Sequence, residues 1–384
     1  MRVLFINQVC GTGSTGKITA SLAEQFEREG HTVKIAYGRS AKVPEKDQHF
    51  AVRIGGTFDV YVHALLTRLT DRHGLYSRRA TKKFLRWAEE FNPDLLWLHN
   101  IHGYFINYEM LFEWIKSRPN MRVYWTLHDC WSFTGHCSYF TFAKCEKWRE
   151  HCIKCPQKKA YPASFFDRSF KNFDQKRKSF TGVKNMTIIT PSKWLASLVK
   201  QSFLRDYPVE VRYNEINREI FKPTNDNGSF RQKYHLENKF VILGVANIWV
   251  ARKGIHDFIR LSTMLDPKKF AIVLVGVKPE QKQMLPKEII AIERTENQQA
   301  LAMVYTSSDV FFNPTYEDNY PTVNLEAEAC GTPVLTYDAG GSAETIHELC
   351  SKAISCGDLE AAKAFIVEEF ERKYRNIEER GNNA

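Results

Sequence analysis

Short, almost wholly apolar runs alternate with amphipathic segments along this chain, and the alternation occurs in two blocks. Apolar runs without a polar face are typical of strands in a parallel sheet that is buried on both sides. Amphipathic helices between such strands cover the two faces of the sheet. The pattern therefore predicts two doubly wound α/β domains. The runs are 3–6, 33–36, 95–98, 123–127 and 187–189 in the first block, and 240–247, 270–276, 309–314 and 332–337 in the second.

The length of 384 residues also favours two domains, because it exceeds what one hydrophobic core usually organises. A polar segment rich in Asn and Pro separates the two blocks and predicts a hinge at 206–224. The predicted domains are 1–205 and 225–384. Ligands of doubly wound sheets bind at the carboxyl ends of the strands, so we expect the two domains to face each other across a cleft.

The stretch CGTGSTGKIT follows the first apolar run and resembles a phosphate-binding P-loop. Gly11, Gly16 and Lys17 have the P-loop spacing. A P-loop also needs a hydroxyl directly after the lysine to hold Mg²⁺, but Ile18 stands there. Thr19 comes one residue late, which rotates its side chain by about 100° around a helix. The turn is therefore predicted to bring backbone close to a phosphate or sugar without nucleotide hydrolysis.

The formal net charge of +10 indicates an anionic partner, which could be nucleic acid, a membrane surface or small substrates. No nucleic-acid-binding motif accompanies the charge, so nucleic acid is not expected. Part of the charge lies on a predicted helix at 77–91, where it forms either a solvated face or a patch for anionic lipid headgroups. No run of 18 apolar residues occurs, and a cytoplasmic protein is expected. The basic residues of this helix are Arg78, Arg79, Lys82, Lys83 and Arg86.

Four of the nine cysteines lie close together, in a Cys-x7-Cys-x6-Cys-x2-Cys pattern. These are Cys137, Cys145, Cys152 and Cys155. Four thiols with a final Cys-x2-Cys predict a structural zinc site. Free thiols or two disulfides are the alternatives. No ligand position looks open, so the predicted metal has no catalytic role.

The second block carries a group of polar residues where an apolar run ends. Glu317, Asp318 and Asn319 lie in a predicted turn, and a helix predicted to start near Pro321 carries Glu326. Backbone amides at a helix start can bind phosphate, and acidic groups about two turns apart can contact different parts of an extended ligand. The alternative for Glu326 is ordinary capping of the helix N-terminus.

Arg252 and Lys253 lie between another strand and the next helix, immediately before Gly254. Cations at the end of a strand can neutralise a diphosphate in the same place. Solvated loop charges are the alternative.

Several of these segments together resemble a known family. The stretches RKG, YEDNYPTVNLEAEACGTPVL and AGGSAETI are similar to those of the family-four retaining glycosyltransferases, which have the two-domain GT-B fold. The stretches LHNIHGYFINYEMLF, WTLHDCWSFTGHCSYF and TPSKWLASLVKQSF, with the four cysteines, resemble the branch that builds capsule, colanic-acid-like and other surface polysaccharides. The resemblance extends from Met1 to about Gly357.

The resemblance implies that the first Rossmann-like domain lies on the acceptor side of the cleft. There the backbone at Gly13 and Gly16 would approach the donor phosphates or the acceptor. His128 would hydrogen-bond the transferred sugar as a catalytic position. The last helix of the chain would pack back on this domain.

The resemblance implies that the second domain binds the nucleotide sugar. Arg252 and Lys253 would bind the donor diphosphate, and Glu326 would hold the ribose. The sugar hydroxyls would meet the turn of Glu317, Asp318 and Asn319, in which the two acids are catalytic positions.

Two departures from the family pattern affect these assignments. The paired acids of the family stand eight positions apart, a spacing that fits Asp318 and Glu326 but not Glu317. The usual arginine before the lysine is missing, and Arg252 is the candidate replacement.

The implied reaction moves a sugar from a nucleotide-diphosphate donor to a growing, lipid-linked surface polysaccharide. No Asp-x-Asp motif occurs, which agrees with catalysis by Arg252 and Lys253 without a metal. The expected partners are the donor, the lipid-linked acceptor and an anionic membrane surface on the inner face of the cell membrane. The alternatives are a nucleotide-sugar epimerase of the same fold and a non-enzymatic basic, zinc-binding protein.

Overall fold

The apolar runs form the central strands of two separate sheets in the computed structural model, which describes residues 1–39, 42–225 and 228–381. One sheet belongs to Met1–Tyr213 and the other to Asn214–Ala384, the two units into which the chain divides. Every described strand pair in both sheets is parallel. The prediction of two doubly wound, Rossmann-like domains is confirmed.

The first unit contains seven described strands and six described α-helices. The strands are β1 Arg2–Ile6, β2 Thr32–Tyr37, β3 Ala51–Arg53, β4 Leu95–Leu98, β5 Arg122–Thr126, β6 Met186–Thr190 and β7 Val209–Val211. The helices are α1 Gly13–Arg28, α2 Thr57–Thr70, α3 Arg78–Phe91, α4 Tyr108–Lys116, α5 Ser169–Phe180 and α6 Lys193–Val199. The strand order is β3-β2-β1-β4-β5-β6-β7, so the chain reverses direction across the sheet between β1 and β4.

The second unit repeats this plan with six described strands. The strands are β8 Phe240–Val245, β9 Phe270–Val275, β10 Ile289–Ile292, β11 Val310–Asn313, β12 Val334–Tyr337 and β13 Lys352–Ile354. The helices are α7 Ser229–Lys233, α8 Ile255–Met264, α9 Pro279–Lys282, α10 Gln298–Thr306, α11 Thr322–Ala329 and α12 Leu359–Gly381. The order β10-β9-β8-β11-β12-β13 places the switch point between β8 and β11.

The strands are apolar on both faces because each sheet is covered on both sides. Leu4 and Ile6 of β1 pack into one hydrophobic cluster, and Val3 and Phe5 pack into another. All four are fully buried, and burial of each such side chain contributes about 1.5–3 kcal/mol relative to exposure. In the second unit Ile242 faces one cluster while its neighbours in β8 face the other. This two-sided burial is the physical reason for the continuous apolar runs.

Some helices begin and end away from their predicted limits. Helix α1 begins at Gly13, whereas the apolar periodicity predicts a start at Ile18. Its first turn consists of glycine, serine and threonine residues, which give no apolar pattern. The apolar pattern from Ser192 to Phe203 predicts a helix of that length, but α6 ends at Val199 and the later apolar residues belong to the following turn.

The first half of helix α12 packs within its own unit. The Phe370 ring lies 5.9 Å from Phe240 and 5.0 Å from Phe270, between ring centroids. Lys373 Nζ lies 2.5 Å from Asp309 Oδ1. Packing of this helix on the first domain stays a prediction. No helix in the described ranges is long and apolar enough to cross a membrane.

Candidate functional site

The glycine-rich turn after β1 is compact on one side and open on the other. A Cβ atom at Gly16 would lie 3.0 Å from Val9 Cγ2, so only glycine fits there without displacement. Gly13 has φ +64°, and a Cβ there would meet no described atom within 4 Å. The backbone at Gly13, where α1 begins, can therefore be approached closely. A helix start of this kind suits an anionic ligand.

Thr19 does not take the role of a P-loop hydroxyl. Its Oγ1 donates a hydrogen bond to the carbonyl oxygen of Thr15 at 2.7 Å, within α1. The side chain is buried, and Lys17 before it is exposed. The hydroxyl is therefore used inside the helix and is not directed at a metal in the turn.

Two histidines meet at the carboxyl ends of β4 and β5. His99 Nδ1 lies 2.9 Å from His128 Nε2, and the rings stack with centroids 5.2 Å apart. Burial lowers the pKa of His128 to about 4 and that of His99 well below its usual value. Both rings are therefore neutral near pH 7, and one N–H donates to the other ring. A neutral imidazole in this position can hydrogen-bond a sugar hydroxyl.

Beside this pair lies a carboxylate that the sequence analysis did not identify. Asp129 Oδ2 lies 3.0 Å from His102 Nε2, and its Oδ1 accepts a hydrogen bond from the Trp131 amide at 2.9 Å. The Tyr161 hydroxyl lies 3.1 Å from His102 Nδ1. Burial acts to raise the pKa of Asp129, but His102 and the amide outweigh it and lower that pKa. His102, Asp129 and Trp131 line one small pocket together with His99 and His128, whereas Tyr161 lies outside its lining.

The candidate cations of the second unit contact the candidate acidic turn. Lys253 Nζ forms an ion pair with the carboxylate of Asp318. Arg252 donates from Nη1 to the carbonyl oxygen of Glu317 at 3.1 Å, and its own carbonyl accepts from the Tyr316 amide at 2.8 Å. The turns after β8 and β11 are thus joined at the switch point of the sheet.

Two glycines allow this close contact between turns. Gly254 has φ +74°, and a Cβ there would lie 2.2 Å from the carbonyl oxygen of Pro314. Gly340 has φ +62°, and a Cβ there would lie 1.9 Å from the carbonyl oxygen of Asp318. The next amide, Gly341, donates to that same oxygen at 3.1 Å. Backbone contacts therefore fix Asp318 in place.

Asn319 is buried directly after Asp318, and its amide donates to Asp318 Oδ1 at 2.9 Å. Glu326 lies further along, on α11, where its Oε2 accepts a hydrogen bond from the Tyr305 hydroxyl at 3.2 Å. The N-cap of α11 is Pro321 and no side chain caps the first turn, so Glu326 is not a capping residue. The structure thus groups the lysine, the arginine and the acidic turn, and pairs Glu326 with Tyr305.

All four clustered cysteines line one pocket, and no disulfide joins any of these four described residues. Cys137 donates a hydrogen bond to Cys155, which lowers the pKa of Cys155 to about 7. The Gly135 amide donates to Cys152 Sγ at 3.2 Å. Within the described part of the chain, no three Cys, His, Asp or Glu side chains are arranged closely enough to hold a metal. The zinc site therefore stays a prediction.

We expect purified protein to contain about one equivalent of zinc, because four thiolates form one closed tetrahedral site. Elemental analysis measures this directly. The variant Cys155→Ser should lose the metal, whereas Cys350→Ser, outside the cluster, should keep it. Metal-free protein in which all four thiols titrate in the native state would contradict the prediction.

Each unit thus places polar and charged residues at the switch point of a doubly wound sheet, which is where this class of protein binds nucleotides and phosphorylated ligands. Comparison with known proteins identifies the family. The family described as Glycosyltransferase Family 4 matches residues 15–219, and the one described as Glycosyl transferases group 1 matches residues 239–368. The chain belongs to glycosyltransferase family 4.

Three relatives illustrate the likeness. The putative colanic acid biosynthesis glycosyl transferase WcaC of Escherichia coli K12 is 23% identical over 92% of this chain and 87% of its own. The N,N'-diacetylbacillosaminyl-diphospho-undecaprenol alpha-1,3-N-acetylgalactosaminyltransferase of Campylobacter jejuni is 26% identical over 36% of this chain and 39% of its own. The solved structure of Anabaena HepE in complex with UDP shares the fold, with a TM-score of 0.64 at 16% identity, covering 97% and 91% of the two chains.

Proposed function

We propose that the protein transfers a sugar from a nucleotide-diphosphate donor to a lipid-linked surface polysaccharide, with retention of configuration. The observation that carries the proposal is the contact of Arg252 and Lys253 with the turn of Glu317 and Asp318 at the switch point. Such an arrangement supports binding of a diphosphate by the cations and of the attached sugar by the acidic turn.

The reaction breaks the bond between the anomeric carbon and the donor phosphate oxygen, and forms a bond from that carbon to an acceptor hydroxyl oxygen. The acceptor proton passes to the departing phosphate. Negative charge grows on the diphosphate in the transition state, where fixed cations stabilise it most effectively. Lys253 and Arg252 would supply that charge, so we propose that no metal is needed.

The other candidate residues would orient the two substrates. Glu326, held by Tyr305, would accept hydrogen bonds from the ribose. Asp318 would take the first acidic role, since it stands eight positions before Glu326 and is held by backbone. The neutral ring of His128 would hydrogen-bond the transferred sugar. The turn at Gly13 and Gly16 would receive the acceptor or the donor phosphates.

Two observations support the proposed acceptor, namely the names of relatives and the positive charge of α3. Relatives named for colanic acid and for a diphospho-undecaprenol substrate support a polysaccharide on a polyprenyl lipid. The five basic residues of α3 are all exposed, while Phe84 and Ala88 of that helix are buried. Each basic residue near an anionic surface contributes about 1 kcal/mol. We propose that α3 holds the protein at the cytoplasmic leaflet of a membrane.

A panel of UDP-, GDP- and other nucleotide sugars, screened by thermal shift in EDTA, tests the proposal. A donor at 100 times its Kd should stabilise the protein by about 2.7 kcal/mol, or roughly 5–10 °C. UDP-sugars come first in the panel because a relative of the same fold binds UDP. A shift that requires Mg²⁺ would contradict metal independence, and no shift with any donor would contradict the assignment.

Product analysis separates the transferase from an epimerase of the same fold. A transferase joins the sugar to an added acceptor, whereas an epimerase converts the donor without one. Steep salt-dependent binding of nucleic acid, without donor binding, would instead support a non-enzymatic basic protein.

A further inference from the structure

Helix α2 exposes a stripe of large apolar side chains and fully buries two polar ones, while its Val60 packs against the core. Phe58, Tyr61, Leu65 and Leu69 follow one another at helical spacing and are 79%, 68%, 58% and 44% exposed. The opposite face carries the only fully buried positions of the helix, His63 and Thr67. This is the reverse of the pattern that a helix on a hydrophobic core normally shows.

Hydrogen bonds fix this orientation. His63 Nδ1 lies 2.8 Å from Ser77 Oγ, and its Nε2 accepts from the Gly74 amide at 3.0 Å. Thr67 Oγ1 donates to the carbonyl oxygen of His63 at 2.8 Å. Turning the helix over would break the two hydrogen bonds of His63 to Ser77 and Gly74 and would bury an apolar stripe against polar partners. The apolar face is therefore held outward by the fold.

A loop extends the exposed apolar face beyond the end of α2. The amide of Phe165 donates to the carbonyl oxygen of Arg68 at 2.9 Å, and Ser164 Oγ donates to that oxygen at 3.1 Å. Phe165 and Phe166 are 66% and 64% exposed. We name as the α2 surface the six apolar residues Phe58, Tyr61, Leu65, Leu69, Phe165 and Phe166.

Most of the charges around the α2 surface are positive. The exception is the exposed Asp167 after Phe166, whose carboxylate oxygens accept hydrogen bonds from the backbone amides of Cys155 and Ser169. Arg68 is exposed beside the stripe, and Lys158 Nζ lies 3.4 Å from the carbonyl oxygen of Phe165. The single acid of α2, Asp59, accepts a hydrogen bond from the Gly56 amide at the helix start. The turn before α2 also lies against Ala80 of α3, so the basic helix is a direct neighbour. Aromatic and leucine side chains with flanking cations have the chemistry of an interfacial membrane helix.

We propose that the α2 surface inserts its apolar side chains among the headgroups of an anionic phospholipid bilayer. The surrounding cations favour this occupant over a second copy of the chain. A two-fold dimer would bring Arg68 and Lys158 of one copy close to the same cations of the other. Anionic lipid would neutralise them.

The same loop connects the α2 surface with the pocket at the sheet edge. Tyr161, four residues before Phe165, lies 3.1 Å from His102 through its hydroxyl, and His102 pairs with Asp129. Resting on the proposed function, this contact would bring a lipid-linked acceptor beside the strand ends of the first unit. Membrane insertion itself does not depend on the glycosyltransferase assignment.

Co-sedimentation of the full-length protein with vesicles tests the insertion without any substrate. We expect binding to vesicles of phosphatidylcholine with phosphatidylglycerol, and a fall in the partition coefficient of about tenfold or more for the double variant F165S/F166S. The matched control M284S/L349S removes two apolar side chains of the second unit that are even more exposed, and it should bind like the natural chain. Circular dichroism checks that each variant is folded.

The salt dependence of vesicle binding distinguishes binding through the α2 surface from binding through the basic face of α3. Binding through α3 weakens as salt is raised because it is electrostatic, whereas apolar insertion persists. A variant with the five α3 cations changed to Gln should therefore keep the binding that remains in 1 M salt, and F165S/F166S should lose it. Equal binding by F165S/F166S and M284S/L349S would overturn the proposal. So would a dimer in sedimentation velocity that F165S/F166S dissociates while vesicle binding is unchanged.

Discussion

The variant Lys253→Ala is expected to lower kcat/KM for sugar transfer by about 10²-fold or more, the usual effect of removing one electrostatic stabiliser of a transition state. The reason lies in the ion pair with Asp318 at the switch point. Removing the ammonium takes away the proposed partner of the diphosphate. It also leaves the Asp318 carboxylate without this counter-ion beside a ligand of the same charge. Lys253→Arg, which keeps the charge, should lose less.

Two further variants show whether Lys253 acts on the diphosphate or only neutralises its neighbour. If neutralisation of Asp318 were its role, the lysine would be dispensable once Asp318 is removed, so Lys253→Ala/Asp318→Ala would be as active as Asp318→Ala. If the lysine binds the diphosphate, the double variant should be clearly slower than Asp318→Ala. Lys268→Ala, at an exposed position of the same unit, is the control and should keep full activity. An unchanged rate in folded Lys253→Ala would place the diphosphate elsewhere.

The variant Gly340→Ala is expected to destabilise the second unit by about 2–5 kcal/mol. About 1–2 kcal/mol comes from a positive φ at a residue with a Cβ, and the remainder from overpacking. The new Cβ would lie 1.9 Å from the carbonyl oxygen of Asp318, so the acidic turn has to move. Activity should fall together with stability. Denaturant unfolding measures the first effect, and sugar transfer at a temperature where the variant is folded measures the second.

Gly331→Ala is the matched control for this variant. Gly331 has a similar φ, +80°, but its Cβ would make only an ordinary contact, 3.6 Å from Pro223 Cγ. It should show the conformational cost alone, about 1–2 kcal/mol, with activity retained. Equal losses in the two variants would mean that the contact between Gly340 and Asp318 does not position the turn.

The sequence predicts the two sheets well because their apolar strands are compatible with few other structures. A run such as Phe270–Val275 is buried along its whole length, and few other structures bury six consecutive apolar residues between turns. The sequence does not mark the edge strands of the first sheet. Ala51–Arg53 and Val209–Val211 have three residues each, are partly exposed and include Arg53 and Glu210, so no apolar run marks them.

The residues at the strand ends are likewise only partly predictable from the sequence. Topology explains why the turns carrying Lys253 and Asp318 meet, since both follow strands next to the switch point. The contact between His102 and Tyr161 depends instead on a loop that no strand pattern positions. The stretch LHNIHGYF does contain His102 three residues after His99, and this spacing was the available indication.

Helix α2 shows a different limit of prediction from sequence, which concerns the side to which an apolar face is turned. Helical periodicity reveals an apolar stripe but does not tell whether the stripe faces a core or the outside. Here the answer depends on His63 and its partners Ser77 and Gly74, which come from the segment after the helix. Only the three-dimensional contacts decide that the polar face is the buried one.

The buried histidines of the first unit have a consequence for its tolerance of acid. Burial lowers the pKa of His63 to about 3 and of His128 to about 4, and lowers those of His73 and His99 well below the usual value of 6.5. Below pH 6.5 the unfolded chain takes up protons that the folded unit does not bind. Each ring then removes about 1.4 kcal/mol of folding free energy per pH unit, until its own folded pKa is reached. We therefore expect these four rings together to make the first unit progressively less stable as the pH falls below 6.5, which pH-dependent denaturant unfolding would measure.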